Sequence, residues 1–195
     1  MPTWFEAPTL TGSHVRLEPL ELRHAPGLLA NADPETFRYM LWTPEPWGVE
    51  GFEEWVRRRQ SDSVPFAVVH KESETVVGST TYLELNTEHR WLEIGYTWYG
   101  PEWRGTAVNP EAKLLLLTHA FDELGCVRVQ LKCDDRNARS KAGILKLGAK
   151  PEGVLRNHRI LVDGHRRQTA VFSIIVEEWP EVRGRLVERI GEFLQ

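Results

Sequence analysis

Two helices in the middle of the chain, each preceded by a strand, constrain the fold more than any other feature of this sequence. Apolar residues alternate along Trp91–Trp98 and again along Cys126–Cys133, which is typical of half-buried strands. Helical spacing of the apolar residues predicts helices over Pro110–Leu124 and Asn137–Leu147. The order strand, helix, strand, helix therefore predicts a sheet with helices packed against it.

Residues that favour helix ends mark both helices. Asn109 predicts the N-cap of the first helix, Pro110 its first position and Gly125 its end. Asn137 predicts the N-cap of the second helix, and Gly148 its end. The N-terminal boundaries of both helices are the ones relevant to ligand binding, because a helix start offers free backbone N–H groups.

Shorter segments on both sides of this unit complete a mixed sheet. Asp163-Gly164 is a strong signal for a two-residue turn and predicts a hairpin around it. The further predicted strands are His14–Leu20, Pro65–His70, Thr75–Glu84, Val154–Val162 and His165–Ile175, and the further helices lie within 21–40, 51–60 and 178–194. The expected fold class is α/β (α+β): a single mixed, mostly antiparallel sheet of about seven strands with helices on both faces, in one domain spanning 1–195.

Composition and charge exclude several classes of protein. The chain has 195 residues, of which 41% are hydrophobic and 27% charged, as in folded soluble proteins. Its net charge of −4 disfavours a general nucleic-acid binder. The longest aliphatic run, Leu114–Leu117, is far shorter than the ~20 residues that span a bilayer. Residues 1–6 lack the basic and apolar parts of a signal peptide, so we expect a cytoplasmic protein without a membrane or nucleic-acid partner.

Cysteine and histidine usage predicts neither a disulfide nor a metal site. Cys126 and Cys133 lie on one predicted strand, roughly 20 Å apart at ~3.3 Å per residue, which is beyond disulfide reach. We expect both thiols to be reduced and buried. The 7 histidines form no H-E-x-x-H motif and no cluster with cysteine, so no metal is expected.

Charge is distributed unevenly along the chain. Residues 1–100 hold 8 basic and 15 acidic side chains, whereas residues 101–150 hold 9 basic and 6 acidic ones. A basic middle segment could hold an anionic ligand, and an acidic first half could attract a cationic one. Ordinary surface variation would produce the same pattern.

A loop of small residues, Arg104–Asn109, opens directly into the first central helix. Small side chains let a ligand approach the backbone, and the helix start combines free N–H groups with the positive end of the dipole. Such a junction suits a pyrophosphate. It matches neither the P-loop nor the dinucleotide G-x-G-x-x-G pattern, and on spacing alone it could be purely structural.

At this loop the sequence resembles the GNAT N-acetyltransferases, whose motif is [QR]-x-x-G-x-[GA]. The flanks match as well, in Glu93-Ile94-Gly95-Tyr96, in Asn137-x-x-Ser140 and in Lys146-Leu147-Gly148. The resemblance covers nearly the whole chain and is strongest to the Rim-like branch, which includes the enzymes that acetylate ribosomal-protein N-termini. It implies a GNAT fold and acetyl transfer from acetyl-coenzyme A, without a metal, to an amine.

The resemblance also implies which residues bind the cosubstrate. Ala107 and Asn109 depart from the family motif, although Ala107 keeps a small side chain there. Ile144 stands where many members carry a tyrosine that protonates the departing thiolate. The implied contacts to coenzyme A are Tyr96, Thr97, Trp98, Arg104, Gly105, Thr106, Ala107, Val108, Asn109, Asn137 and Arg139.

Two residues are the candidate catalytic groups. Glu93 is the expected general base, because it lies on the strand before the loop and shares a face with Gly95 and Thr97. A strand carboxylate paired with a basic side chain would look the same. Ser140, in the first turn of the second helix, could hydrogen-bond or protonate the thiolate, or could serve only in capping.

The acceptor is the least constrained part of this interpretation. The resemblance implies a protein N-terminus, although related enzymes modify polyamines, amino acids and antibiotics. The acidic first half of the chain favours a basic amine, either a protein N-terminus with basic neighbours or a small cationic amine. A homodimer is the default for symmetric association. Trp42 and Trp47 could line an acceptor pocket, and the carboxylates of Glu35, Glu45 and Glu50 could attract a cation. Two alternatives stay open: a catalytically inactive GNAT-fold protein that binds coenzyme A or acts as a scaffold, and an unrelated nucleotide-binding module.

Overall fold

The computed structural model describes residues 3–161 and 163–193, and one eight-stranded sheet runs through them. Its strands stand in the order β1-β2-β3-β4-β5-β6-β8-β7. The strands are β1 Leu10–Thr11, β2 Val15–Pro19, β3 Val64–His70, β4 Thr75–Asn86, β5 Trp91–Tyr99, β6 Arg128–Asp134, β7 Lys150–Ile160 and β8 Arg166–Ile175. The helices are α1 Ala25–Asn31, α2 Val49–Asp62, α3 Val108–Thr118, α4 Ala138–Leu147 and α5 Trp179–Gly191.

The predicted mixed, mostly antiparallel sheet is confirmed. Among the described strands, β5 and β6 form the one parallel pair, and every other neighbouring pair is antiparallel. The sheet has eight strands rather than about seven, because the two-residue strand β1 pairs with β2 and is too short to show an alternation. Val162 and residue 194, which ended two predicted elements, lie outside the described residues.

Helices cover both faces of the sheet, as predicted, and each face has its own apolar core. The larger core joins α3, α4 and α5 to the sheet through buried side chains such as Leu116, Ile144 and Leu186. The smaller core joins α1 and α2 to the opposite face around Trp55 and Trp98. We call these two sides the α3 face and the α2 face of the sheet.

A β-bulge in the central strand β5 changes which face its residues occupy. Thr81 pairs with Gly95 but Ser79 pairs with Trp98, so β5 has one residue more than β4 across this interval. Tyr96 has a φ of +46°, in the left-handed region. The alternation therefore reverses: Ile94 belongs to the core on the α3 face, whereas Trp98 belongs to the core on the α2 face.

A buried carboxylate fixes α3 to the edge of the sheet. Glu111 is 3% exposed and accepts hydrogen bonds from the backbone N–H groups of Ser13, His14 and Val15 at 2.7, 2.7 and 2.6 Å. Charged acceptors make stronger hydrogen bonds than neutral ones. This contact sets the position of α3, whose N-terminus borders the site described below, relative to β2.

We predict that Glu111→Ala destabilises the protein by roughly 3 kcal/mol or more, because three buried N–H groups lose a charged acceptor at once. Chemical denaturation monitored by circular dichroism measures the change in the free energy of unfolding. Glu102→Ala, which removes an exposed glutamate nearby, is the control and should change little. An equal effect of the two substitutions would contradict this account of Glu111.

Candidate active site

The parallel strands β5 and β6 separate after a short paired segment, and the separation opens a cavity. Their register runs from Trp91 opposite Arg128 to Glu93 opposite Gln130 and stops there. Beyond this point a cavity of about 600 Å³ is lined by residues of both strands, from Glu93 to Tyr99 on β5 and from Leu131 to Asp134 on β6. The split thus gives a ligand access to backbone that would otherwise be inside the sheet.

The bulge lies inside this opening. Tyr96 and Thr97 line the cavity, and the register pairs neither residue with a partner on β4 or β6. Unpaired backbone groups of a bulged strand are free to hydrogen-bond a ligand. The bulge also turns Thr97 toward α3, so the expectation that Glu93, Gly95 and Thr97 share one face is wrong for Thr97.

The loop before α3 forms one wall of the cavity, and helix α3 begins earlier than predicted. Val108 is its first residue, and the Val108 N–H donates to the Thr106 hydroxyl at 3.3 Å. The prediction that Asn109 is the N-cap is therefore wrong, because Thr106 already provides the side-chain acceptor. Asn109 lies in the first turn and lines the cavity. Gly105 has a φ of +80°, and the space where its Cβ would stand is open.

The start of α4 forms the opposite wall. Asn137 is the N-cap, as predicted, and its Oδ1 accepts from the Ser140 N–H at 3.0 Å. Gly148 ends the helix with a φ of +102°. The Ser140 hydroxyl is near Cys133 and partly opposes the rise that burial causes in the pKa of that thiol. Both candidate roles of Ser140, capping and contact with a ligand, thus remain compatible with its position.

Two arginines approach each other between these helix starts. Arg104 donates from Nε to the Tyr99 carbonyl at 3.1 Å and from Nη2 to the Thr36 hydroxyl at 2.9 Å. Its guanidinium also lies 3.7 Å from Asp33. Burial lowers the pKa of Arg104, and the positive charge of Arg139 lowers it further. Two helix N-termini and two nearby cations make this corner of the cavity suitable for an anion.

Glu93 is buried at the point where the strands separate. It is 7% exposed, and its carboxylate lies 2.9 Å from the ammonium of Lys132, which also contacts Glu84 at 2.9 Å. Burial raises the pKa of Glu93, and hydrogen bonding to Lys132 only partly reverses the rise. Gly95 shares the face of Glu93, and a Cβ there would lie 3.1 Å from the carboxylate. A carboxyl group with a raised pKa is better matched to proton transfer near neutral pH.

Lys113 is a buried amine that the sequence interpretation missed. It lies on α3, lines the cavity, is 7% exposed and donates to the Thr97 hydroxyl at 2.8 Å. That hydroxyl is 2.7 Å from the hydroxyl of Thr80. Burial lowers the pKa of Lys113 to about 7. No sequence signal reveals this burial, because a lysine in an amphipathic helix is usually solvated.

The structure brings most of the predicted site residues together around one cavity. Three are absent from its lining: Thr106 bonds the Trp103 carbonyl and caps α3, while Ala107 and Val108 are buried at the helix start, so their contact with coenzyme A stays a prediction. The predicted residues that line the cavity are Glu93, Tyr96, Thr97, Trp98, Arg104, Gly105, Asn109, Asn137, Arg139 and Ser140.

The residues expected on the acceptor side do not line the cavity. Trp47 packs edge-on against Phe37 with 6.0 Å between ring centroids, and Trp42 lies under the guanidinium of Arg58. Glu35 is exposed and pairs with Arg38. The remaining two acidic candidates, Glu45 and Glu50, are exposed and absent from the lining.

The cavity is basic although the chain is acidic. Among the described residues, eight lysine and arginine side chains line it, against four carboxylates. The basic residues are Arg59, Arg104, Lys113, Lys132, Arg139, Arg159, Arg167 and Arg189, and the acidic ones are Asp62, Glu84, Glu93 and Asp134. An excess of positive charge in a concave site favours anionic ligands.

Comparisons with known proteins agree with this geometry. The model of the GNAT acetyltransferase domain matches residues 14–150. A crystal structure from T. thermophilus, named "putative acetyltransferase", is 38% identical and covers 97% of this chain and 99% of its own, with a TM-score of 0.89. The chain therefore belongs to the GNAT acetyltransferase family, and its fold class is confirmed.

Two further relatives concern the branch of that family. The protein named "Putative ribosomal N-acetyltransferase YdaF" from Bacillus subtilis is 24% identical over 84% of this chain and 90% of its own. The structure of Mycobacterium smegmatis RimJ in complex with CoA-disulfide is 22% identical, with a TM-score of 0.76 over 93% of this chain and 94% of its own. The Bacillus relative supports the Rim-like branch, and the RimJ structure shares the fold.

The described residues contain neither a membrane-spanning helix nor a cluster of metal ligands. No helix between 3 and 161 or between 163 and 193 is long and apolar enough to cross a membrane. The same residues contain no group of three or more histidine, cysteine or acidic side chains that could hold a metal ion.

We predict that Lys113→Met changes the pH dependence of stability in a defined direction. Because the folded-state pKa of Lys113 is about 7 and its ordinary value is 10.5, the unfolded chain takes up the proton first as the pH falls. The wild type therefore loses stability relative to the variant as the pH falls from about 10 to about 7, with the difference constant below that. Thermal melts across this range measure it.

Lys146→Met, which removes an exposed lysine of α4, is the matched control and should run parallel to the wild type. Parallel curves for Lys113→Met and the wild type would show that the buried amine keeps an ordinary pKa, contrary to the burial described here.

Proposed function

We propose that this protein transfers an acetyl group from acetyl-coenzyme A to a primary amine, with the two substrates meeting where β5 and β6 separate. The observation that carries the proposal is the opening itself, which combines an unpaired, bulged strand with two helix N-termini and a buried carboxylate. Membership of the GNAT family supports this assignment of the chemistry.

The pyrophosphate of coenzyme A would bind at the corner between α3 and α4. Gly105 leaves open space beside its backbone, and the N–H of Asn109 lies in the first turn of α3, where helix N–H groups have no intrahelical acceptor. Arg104 and Arg139 supply positive charge there. Since Arg104 already bonds Tyr99 and Thr36, we assign it chiefly to holding the loop, and Arg139 to direct contact with phosphate.

The pantetheine chain and the thioester would follow the bulged strand. Backbone N–H groups around Tyr96–Trp98 would hydrogen-bond the pantetheine amides and the developing oxyanion. The Lys113 ammonium, held against Thr97, adds positive charge on the same side of the strand. Asn137 and Ser140 border the thiol end, where Ile144 provides apolar contact but no proton.

The reaction requires one proton to leave the amine and one to reach the thiolate. The neutral amine nitrogen attacks the thioester carbonyl carbon, a C–N bond forms, and the C–S bond breaks to release the thiolate. We assign Glu93 as the general base, because its buried carboxylate has a raised pKa and lines the cavity. Ser140 is our candidate proton donor to the thiolate, given that the tyrosine found in many relatives is Ile144 here.

A second candidate function is binding of coenzyme A without catalysis. Two observations favour it: Ile144 cannot donate a proton, and Lys132 neutralises the proposed base at 2.9 Å. The two functions differ in one measurement, since an inactive binder would show calorimetric affinity for acetyl-coenzyme A but no release of free thiol with any amine.

We predict that Glu93→Gln lowers kcat/KM by ~10²–10⁴-fold, the usual contribution of a general base. The wild type should also lose activity as the pH falls through the raised pKa of Glu93, because the protonated carboxyl cannot accept a proton. This acidic limb of the pH profile should disappear in the variant. Thiol release with the best acceptor from a panel of amines measures both effects.

Glu84→Gln is the matched control, because it removes the other carboxylate bound to Lys132 without removing the base. It should keep most of the activity and the acidic limb, and Ser140→Ala should lose less than Glu93→Gln. Equal losses in Glu84→Gln and Glu93→Gln would assign both carboxylates to the ion pair alone.

We predict that Gly105→Glu nearly abolishes affinity for acetyl-coenzyme A, because it places bulk and negative charge in the open space beside the phosphate corner. Gly105→Asn separates this effect from backbone strain, since asparagine tolerates a positive φ and is neutral. Titration calorimetry should show a much smaller loss for Gly105→Asn. Unchanged affinity in a folded Gly105→Glu protein would rule out this corner as the phosphate site.

A further inference from the structure

Resting on the proposed acetyl transfer, we infer that the acceptor is an amine that also carries a carboxylate, and that Arg59 and Arg167 bind this carboxylate on the α2 face of the cavity. The two arginines come from different elements, α2 and β8, and neither was predicted as a site residue. Both line the cavity.

Arg59 is a buried cation without a carboxylate partner. It is 3% exposed, and its Nε has no hydrogen-bond partner. Its guanidinium stacks over the ring of Tyr96, with 3.9 Å from Cζ to the ring centroid. No acidic side chain among residues 3–161 and 163–193 forms a salt bridge with Arg59. Burying a charge without a partner costs free energy of folding.

Arg167 is in a similar state on the neighbouring part of the sheet. It is 9% exposed, its Nε is also without a partner, and its Nη1 donates to the Tyr39 carbonyl at 3.3 Å. Burial lowers the pKa of this guanidinium, and the negative charges of Asp134 and Glu93 oppose the fall. Across the part of the chain that the structure describes, no carboxylate lies within salt-bridge distance of it.

Tyr96 links the two arginines to the reaction centre. Its ring lies under Arg59, it lines the same cavity as Arg167, and it is the bulged residue of the strand that would hold the thioester. Side chains alternate between the two faces along β8. Ala170 and Phe172 belong to the core on the α3 face, so Arg167 lies on the other face of the sheet. Both guanidiniums therefore lie on the α2 face, on the other side of the sheet from the proposed phosphate corner.

None of the nearby carboxylates among the described residues pairs with Arg59 or Arg167. Glu84 and Glu93 share Lys132, and Asp134 accepts from Arg136 at 3.0 and 2.9 Å. Asp62, at the end of α2, also lines the cavity but lies beyond salt-bridge distance from either buried arginine. Positive charge at Arg59 and Arg167 is thus left for a ligand, and guanidinium groups pair with carboxylates in a directional, hydrogen-bonded geometry.

This placement reverses the expectation from the charges of the first half of the chain. A small cationic amine would meet two buried guanidiniums beside Tyr96, which disfavours it. An acceptor whose carboxylate binds the arginines would instead direct its amine toward Glu93. The carboxylate could be the α-carboxylate of a free amino acid or the side chain of an acidic residue close to a peptide N-terminus.

Matched acceptors that differ only in charge test the inference. Thiol release from acetyl-coenzyme A is measured with free amino acids and their α-carboxamides, and with tetrapeptides that carry Glu, Gln or Lys at the second position. Rates are compared at equal concentrations of neutral amine. If the carboxylate is that of a free amino acid, kcat/KM should be at least about tenfold higher for the amino acid than for its α-carboxamide. If it is a side chain, kcat/KM should be at least about tenfold higher for the Glu peptide than for the Gln peptide, and lowest for the Lys peptide. The pair that shows the preference identifies the source.

Two variants connect that preference to the arginines. Arg59→Gln and Arg167→Gln should each remove most of the preference while leaving calorimetric affinity for acetyl-coenzyme A unchanged. Arg58→Gln and Arg166→Gln, which alter exposed neighbours on the same elements, should retain the preference. If thermal melts show that Arg59→Gln is unfolded, Arg59→Lys replaces it; because lysine keeps the charge but lacks the paired donors of a guanidinium, it should lower the preference without removing it.

Three results would overturn the inference. Equal rates for acids and amides, or faster reaction of the Lys peptide, would remove the carboxylate requirement but leave acetyl transfer intact. Weaker binding of acetyl-coenzyme A in both variants would assign the arginines to its phosphates. Failure of every amine in the panel to raise thiol release would instead overturn the proposed transferase function, and the inference with it.

Discussion

The separation of β5 from β6 after Glu93 is the constraint on which the rest of this structure depends. Parallel strands normally stay paired, but here the register ends at Glu93 and Gln130, and the bulge at Tyr96 turns the remainder of β5 away. Backbone that would be inside a sheet thus lines a cavity of about 600 Å³. Both neighbouring helices begin beside this opening, and residues of their first turns line the same cavity.

The opening also divides charge between the two faces of the sheet. On the α3 face, positive charge at the helix starts and at Arg139 suits the phosphates of the proposed cosubstrate. On the α2 face, Arg59 and Arg167 are buried and have no carboxylate partner within residues 3–161 and 163–193, and they line the same cavity as the paired Glu93 and Lys132. A protein with a net charge of −4 therefore presents a basic cavity, and this local charge favours anionic ligands despite the net charge.

The sequence predicted the parts of this arrangement that depend on local pattern. The order of elements, the cap at Asn137 and the family all follow from periodicity and short motifs. The bulge at Tyr96 was not predictable, because apolar residues alternate evenly through it. The burial of Lys113 and Arg59 was also missed, since long charged side chains on amphipathic helices are usually solvated and only tertiary packing encloses them. For the same reason, charge summed by chain segment did not show that Arg59, from the acidic first half, is buried and lines the cavity.

Hydrogen–deuterium exchange with and without acetyl-coenzyme A tests the central claim most directly, because it reports on the backbone that the opening exposes. The account predicts slower exchange on binding in residues 94–99 of β5, in the loop 104–109 and at the start of α4, with little change in α5. Protection of the two helix starts alone would place the phosphates but contradict insertion of the thioester between the strands. Unchanged exchange in all three segments, under conditions where calorimetry shows binding, would contradict the account as a whole.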